Sequence, residues 1–85
     1  MKDRDIEALM LIHRFVSENG YAISIRELGD AMGVSSPATT WARLKRLERD
    51  GLIGFSRNES RTVHLTDIGK CALTTERVFG IMGTA

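Results

Sequence analysis

Residues 37–50 are predicted to form a helix with two chemically different faces. One side carries apolar residues at helical spacing and is expected to meet the core. The opposite side combines small residues, a hydroxyl and cations, and its members are Ala38, Thr39, Ala42, Lys45, Arg46 and Arg49. Small residues let a backbone approach a groove closely, while hydroxyls and cations bond to phosphates and base edges. Because Lys and Arg occur on any solvated helix surface, no single cation indicates nucleic-acid binding. The complete set of residues on this face, together with the neighbouring elements, favours it.

The start of this helix offers a site for an anion. Ser36 stands at the N-cap position and Pro37 in the first turn, a common combination at helix starts. The Ser36 hydroxyl and the first backbone amides lie at the positive end of the helix dipole, where phosphate is stabilised. The candidate DNA-binding residues therefore include Ser36, together with Ser24 at the preceding helix start and Arg43 beside the outer face.

Three further residues each have two open interpretations. Trp41 lies on the flank of the helix, where it either packs against the hairpin or the first helix, or contacts thymine methyls or the sugar–phosphate backbone. Arg57 and Arg61 belong to the polar loop 56–61, from which exposed arginines could reach along a minor groove. The alternative for this loop is an ordinary polar turn.

Positive charge is concentrated where these residues lie. The 85 residues include 12 basic and 11 acidic side chains, for a net charge of only +1. Residues 36–65 hold six basic and three acidic residues, a net charge of +3, whereas residues 1–35 have a net charge of −2. A local excess of positive charge is what binding to phosphate requires.

Local signals predict the elements of the first half of the chain. A helix is expected over residues 3–19, where apolar residues recur at helical spacing, and Gly20 follows its end. Ser24 and Glu27 have the spacing of a capping box for a second helix, which reaches about residue 32 and ends at Gly33. The residues of this helix expected in the core are Leu28, Ala31 and Met32. The intervening segment 21–23 is short but able to pair at a sheet edge.

The second half reads as a hairpin followed by a helix. Gly51 ends the third helix, and residues 52–55 and 62–65 are predicted strands joined by the loop 56–61. Thr66 is a plausible cap for a fourth helix over residues 67–80, in which Ile68 and Cys71 belong to the apolar pattern and Gly69 is an unfavourable residue.

Together these elements predict one domain, residues 1–85, that is mostly α-helical with a small β-hairpin. Residues 6–65 form a winged helix-turn-helix, that is, a three-helix core plus a wing, and residues 66–85 form a C-terminal helical extension. A chain of this length buries only about 60–65% of its unfolded surface, which leaves no room for a deep catalytic cleft.

Residues 6–65 resemble the N-terminal winged helix-turn-helix domain of the LexA repressor family. The matching runs keep the order and spacing of that family without gaps, and they are residues 20–28 (GYAISIREL), 32–37 (MGVSSP), 44–47 (LKRL) and 50–53 (DGLI). Residues 65–70 (LTDIGK) instead resemble the segment after the wing in MarR-type regulators. The resemblance implies a sequence-specific double-stranded DNA-binding transcriptional regulator, a repressor, with the third helix in the major groove and the wing on backbone or minor groove.

The sequence departs from the family where bases are read. The family uses an asparagine and a pair of glutamates at the positions of Ala38, Trp41 and Ala42, and a small residue at that of Thr39. The resemblance therefore implies the docking mode but not the operator sequence. Full-length LexA proteins also carry a self-cleaving peptidase domain, and since this chain ends where that domain would start, we expect a stand-alone domain without autocleavage.

One such domain contacts too few bases for tight operator binding, so a homodimer on a two-fold site is expected. The candidate dimer surface is apolar and consists of Val78, Phe79, Ile81 and Met82. The alternative is that these residues pack back on the first helix. A second function also stays open, that of a winged-helix protein-interaction module docking on a host regulator or polymerase, because the net charge is near zero.

Nothing in the sequence predicts an enzyme, a metal site or a cofactor. His13 and His64 lack metal-ligand spacing, and neither a Gly-rich phosphate loop nor a nucleophile elbow occurs. No apolar run approaches the ~20 residues needed to span a bilayer, and the N-terminus is unlike a signal peptide. The single cysteine, Cys71, is expected to be buried, and a cytoplasmic setting with association to the nucleoid through DNA is expected.

Overall fold

The computed structural model describes residues 3–74, which form helices followed by a two-stranded hairpin and a further helix. The elements named in chain order are α1 (Asp3–Asn19), α2 (Ile25–Ala31), α3 (Pro37–Arg49), β1 (Ile53–Gly54), β2 (His64–Leu65) and α4 (described over residues 67–74). The strands are antiparallel, with Ile53 opposite Leu65 and Gly54 opposite His64. This arrangement confirms the predicted winged helix-turn-helix. No helix within the described range combines the length and apolar character needed to cross a bilayer.

A single hydrophobic core joins the helices to the hairpin. The largest fully buried side chains come from α1, α2 and α3, and they are Leu9, Leu28, Leu44 and Leu47. Other buried residues surround them, namely Ala8, Ile12, Ile23, Met32, Leu52, Ile53, Val63 and Leu73. Because removing apolar surface from water is the main force that favours folding, α3 is held by contacts with the rest of the domain.

The capping box at the start of α2 is formed as predicted. Ser24 Oγ accepts a hydrogen bond from the Glu27 amide at 3.1 Å, and the Ser24 amide donates to Glu27 Oε1 at 2.9 Å. At the other end, Met32 is the C-cap and Gly33 has a φ of +71°, in the left-handed region that favours glycine. The turn between α2 and α3 therefore follows from local chemistry.

Three finer predictions were wrong. Ala31 is exposed, because Leu28 and Met32, four residues apart, occupy the core face of α2 and leave Ala31 at its edge. Cys71 is exposed, because the buried residues in the described part of α4 are Gly69 and Leu73, and positions two apart point to nearly opposite sides of a helix. Ile68 is exposed as well. The strands β1 and β2 have two residues each instead of four. Segment 21–23, which is too short for an independent strand, does not join the described sheet.

α4 is anchored to the turn that follows α3. Thr66 caps the helix as predicted, since its Oγ1 accepts from the Gly69 amide at 3.1 Å and donates to the Gly51 carbonyl. Gly69 is buried, and a Cβ added there would overlap the carbonyl oxygen of Leu52. The glycine that weakens the helical pattern is thus the residue that lets α4 approach the chain after α3.

Candidate nucleic-acid interface

α3 has the two faces that its sequence predicts. Thr40, Leu44 and Leu47 are buried, each with at most 3% of its surface exposed. The opposite side is exposed, and its residues are Ala38, Thr39, Ala42, Lys45 and Arg49. Within residues 3–74, Lys45 takes part in no ion pair, and Arg49 pairs only with the adjacent Asp50 at 3.7 Å. These two cations are therefore available to an external anion.

The start of α3 agrees with the prediction. Ser36 occupies the N-cap position, and its carbonyl accepts from the Thr39 amide at 3.2 Å. In the described part of the chain its side chain makes no capping hydrogen bond. The exposed hydroxyl lies at the positive end of the helix dipole, where an anion is favoured.

Arg43 and Arg46 lie against α1 instead of pointing outward. Arg43 Nη1 donates to Asp5 Oδ1 at 3.2 Å, and Arg46 Nη2 donates to the same oxygen. The side chains of Asp5 and Arg43 are 9% and 17% exposed, so their contact is largely shielded from solvent, whereas the side chain of Arg46 is 35% exposed. Both arginines therefore have an internal partner that sequence analysis did not foresee, and their predicted contact with DNA stays a prediction.

Trp41 packs against the chain that follows β1. Its ring meets that of Phe55 edge to face, with 5.5 Å between the centroids and 61° between the planes. Trp41 also borders a cleft of about 630 Å³ between α2 and α3, whose wall includes Ile25 and Val34. Of the two interpretations of Trp41, the structure contains the contact with the wing, while the contact with DNA stays a prediction.

Arg61 folds back from the wing onto the start of α2. Its Nη1 donates to Glu27 Oε1 at 2.8 Å and to the Ala22 carbonyl at 3.1 Å, and its Nη2 donates to Glu27 Oε2 at 3.3 Å. The guanidinium also lies 4.8 Å from the centroid of the Tyr21 ring, within cation–π range. These contacts hold Arg61 at a φ of +57°, which residues other than glycine seldom adopt.

Arg57 is the more exposed arginine of the wing loop 56–61. Its side chain is 59% exposed and its Nη2 lies 3.6 Å from Glu48 Oε1, a surface pair of small energetic value. The loop itself is closed by Thr62, whose Oγ1 accepts from the Ser56 amide at 2.8 Å. The two wing arginines therefore differ, since Arg57 points to solvent and Arg61 points toward the domain.

Glu27 connects the start of α2 to the wing. The hydrogen bond from the Ser24 amide, followed by the hydrogen bond from Arg61, lowers the pKa of the Glu27 carboxyl from its ordinary value of 4.5. Since hydrogen bonds to an ionised carboxylate are stronger than neutral ones, the lowered pKa helps the capping box and the wing contact persist together in mildly acidic solution.

Sequence reasoning missed these partners because they are distant along the chain. Asp5 is 38 residues from Arg43, and Glu27 is 34 residues from Arg61. One signal was present for Asp5. It precedes Ala8, Leu9 and Ile12 at helical spacing, so it lies on the buried face of α1. A charged residue on such a face needs an oppositely charged partner from another element.

α2 and α3 are joined by a turn that contains a glycine in the left-handed conformation, α3 has an exposed face, and the hairpin follows α3 directly. These features define a winged helix-turn-helix domain. A sequence profile described as the LexA DNA binding domain matches residues 1–62. This chain belongs to that family.

Three similar proteins carry the name LexA repressor. The one from Thermobifida fusca is 39% identical over 80 residues, covering 94% of this chain and 32% of that protein. The one from Leuconostoc mesenteroides is 37% identical over 70 residues, covering 80% and 33%, and the one from Lactiplantibacillus plantarum is 31% identical over 86 residues, covering 98% and 41%. The chain thus spans about a third to two fifths of the length of these relatives.

The candidate dimer residues Val78, Phe79, Ile81 and Met82 lie outside the described residues. The homodimer therefore stays a prediction.

Proposed function

We propose that this chain is a sequence-specific double-stranded DNA-binding domain that acts in transcriptional repression. The observation that carries the proposal is the exposed outer face of α3, which has small side chains near the start of the helix and cationic side chains toward its end. Lys45 and Arg49 lie on this face without a partner in the core. The match to the LexA DNA binding domain and the repressor names of the relatives support the same function.

In the proposed complex, α3 lies in the major groove. Ala38 and Ala42 allow the helix backbone to come close to the bases, and the Thr39 hydroxyl bonds to a base edge. Lys45 and Arg49 bond to phosphates or guanine edges farther along the groove.

Phosphates on either side of the groove are held by the helix starts and the wing. The Ser36 hydroxyl and the first amides of α3 bind one phosphate. Ser24 uses its hydroxyl oxygen as an acceptor in the capping box, and we assign its O–H to a phosphate. In the wing, Arg57 contacts backbone or minor groove, because the Arg61 guanidinium is engaged with Glu27.

We further propose that two copies act together on a two-fold operator. The exposed face of one α3 spans only a few base pairs, whereas a dimer doubles the contacts and reads two half-sites one helical turn apart.

Selection of random duplexes by the purified chain at about 150 mM salt, where surface charges are well screened, tests the proposal. An enriched motif is expected, and a palindrome within it would support the dimer. Absence of enrichment, together with capture of a host regulator or polymerase on the same protein, would replace this function with the protein-docking alternative.

Matched lysine variants separate the α3 face from general charge. Lys45→Met should weaken binding to the selected duplex by roughly 1 kcal/mol. It should also make the negative slope of log K against log salt shallower by about 0.9. Lys70→Met, at an exposed position of α4, removes the same charge from another part of the domain and should leave the slope unchanged. Equal effects of the two variants, measured by fluorescence anisotropy, would contradict the assignment of the face.

A further inference from the structure

Asp5 is a buried acid that touches the recognition helix from the side. With 6% of its surface exposed, it is one of two buried polar or charged residues identified in the described core, beside Thr40. Its Oδ1 accepts hydrogen bonds from Arg43 and Arg46, residues 38 and 41 positions away. We call these three residues the Asp5 cluster.

The Asp5 cluster orients both guanidinium groups toward α1. Arg43 and Arg46 are three residues apart, so they are neighbours on the surface of α3. The Nε atoms of both are buried and have no hydrogen-bond partner in the described part of the chain. Each guanidinium is therefore held mainly through its contact with one carboxylate, and that carboxylate leaves the cluster with a net charge of +1.

A lateral contact of this kind resists rotation of α3 about its own axis. Leu44 and Leu47 hold the helix to the core by apolar contacts, which are not directional. Charged hydrogen bonds are directional, and two of them at neighbouring positions define which way the helix faces. Base reading needs side chains placed to within about 0.5 Å, so small rotations of α3 matter for sequence preference.

We infer that Asp5 is a positioning and specificity-determining residue for DNA recognition. It fixes the rotation of α3 and keeps Arg43 and Arg46 away from phosphates, so that Thr39, Lys45 and Arg49 make the contacts. This inference rests on the proposed function. Without Asp5, the two arginines turn to the duplex backbone and add contacts that carry no sequence information.

Asp5→Asn and Asp3→Asn form a matched test, because both remove one negative charge from the first turn of α1 and Asp3 is exposed. Binding is measured over a salt series with the selected duplex and with a random-sequence duplex. Asp5→Asn should steepen the salt slope on the random duplex by up to about 1.8, that is, about 0.9 for each released arginine. It should also lower the ratio of specific to random affinity, while Asp3→Asn changes neither quantity. Identical behaviour of the two variants would overturn the inference.

Arg46→Met provides a second test that does not depend on the folding of Asp5→Asn. It should leave the salt slope at its original value, because Arg46 contacts Asp5 and not DNA, whereas Lys45→Met lowers the slope by about 0.9. Circular dichroism melting of each variant identifies the folded temperature range. A slope lowered equally by both variants would place Arg46 on DNA and refute the inference alone. Absence of duplex binding by the unaltered chain would refute the proposed function and this inference together.

Discussion

Glu27 takes part in two structures that sequence analysis treats separately. Its carboxylate accepts from the Ser24 amide within the capping box and from both terminal nitrogens of Arg61. The capping box was predictable because its two residues are three positions apart. The contact with Arg61 was not predictable, because no local pattern relates residues 34 positions apart.

The lowered pKa of Glu27 predicts a dependence of stability on pH. Near the ordinary pKa of 4.5 the unfolded chain binds more protons at this position than the folded chain. The stabilisation is therefore present above pH 4.5 and is lost as the pH falls through the lower folded pKa. Glu27→Gln should lower the melting temperature at about pH 6 and have a smaller effect at about pH 3.

Glu18→Gln is the control for this experiment, because Glu18 is an exposed glutamate on α1. Melting curves of both variants and the unaltered chain across the acid range decide the outcome. If Glu27→Gln lowers the melting temperature equally at both pH values, the ionised carboxylate does not contribute the stabilisation.

At the scale of elements, α2 and α3 meet through a glycine. A Cβ added at Gly29 would lie 2.8 Å from Thr40 Oγ1, closer than side chains tolerate. Gly29→Ala should therefore destabilise the domain by about 1 kcal/mol, although alanine is the better helix former. In a Thr40→Ala background the same substitution should stabilise by up to about 1 kcal/mol, because the clash is gone.

Urea unfolding of the two single variants and the double variant measures this coupling. An equal effect of Gly29→Ala in both backgrounds would show that Thr40 is not the reason for the glycine.

The wing differs from an ordinary hairpin loop because its last residue is attached to α2. Arg61→Ala removes the contacts with Glu27 and the Ala22 carbonyl, and we expect faster backbone motion of residues 57–60. Arg57→Ala removes one exposed pair at 3.6 Å and should change these motions little. NMR relaxation of the backbone amides distinguishes the two, and equal mobility in both variants would refute a role of Arg61 in fastening the wing.

Element boundaries were predictable where a local signal marks them and less so elsewhere. α1, α2 and α3 end before left-handed glycines, and α2 begins at its capping box, so these limits agree with the sequence. The strands are shorter than predicted. The alternation of side chains indicates which residues face inward, but the number of residues that pair depends on the opposite strand, which a local pattern does not reveal.

At the scale of the whole domain, internal pairing removes much of the positive charge from the surface that we propose to bind DNA. Among the candidate DNA-binding cations, Arg43, Arg46 and Arg61 are held by close carboxylate pairs. Arg49 and Arg57 make only longer surface pairs, at 3.7 and 3.6 Å, and Lys45 makes none within residues 3–74, so these three are the most available to phosphate. Three phosphate contacts predict a salt slope of about −2.7 for each bound domain. Anisotropy titrations at several salt concentrations test this value, and a slope steeper than about −5 would mean that the paired arginines also reach the backbone.

The class of the fold followed from signals that agree along the whole chain. Helical apolar stripes, a capped second helix and a short hairpin each indicate the same architecture, so an error in one does not change it. The candidate interface was predicted less completely. The exposure of Thr39, Lys45 and Arg49 follows from helix geometry, whereas the positions of Arg46 and Trp41 depend on neighbours from α1 and the wing.

The exposed side of α3 also bears on how such proteins change their targets. Ala38, Thr39 and Ala42 are exposed and absent from the core, so replacing them should alter stability by no more than about 0.5 kcal/mol. Substitutions there can accumulate after a gene duplicates without passing through poorly folded intermediates. Under the proposed function, operator preference is therefore free to diverge between copies while the scaffold stays the same.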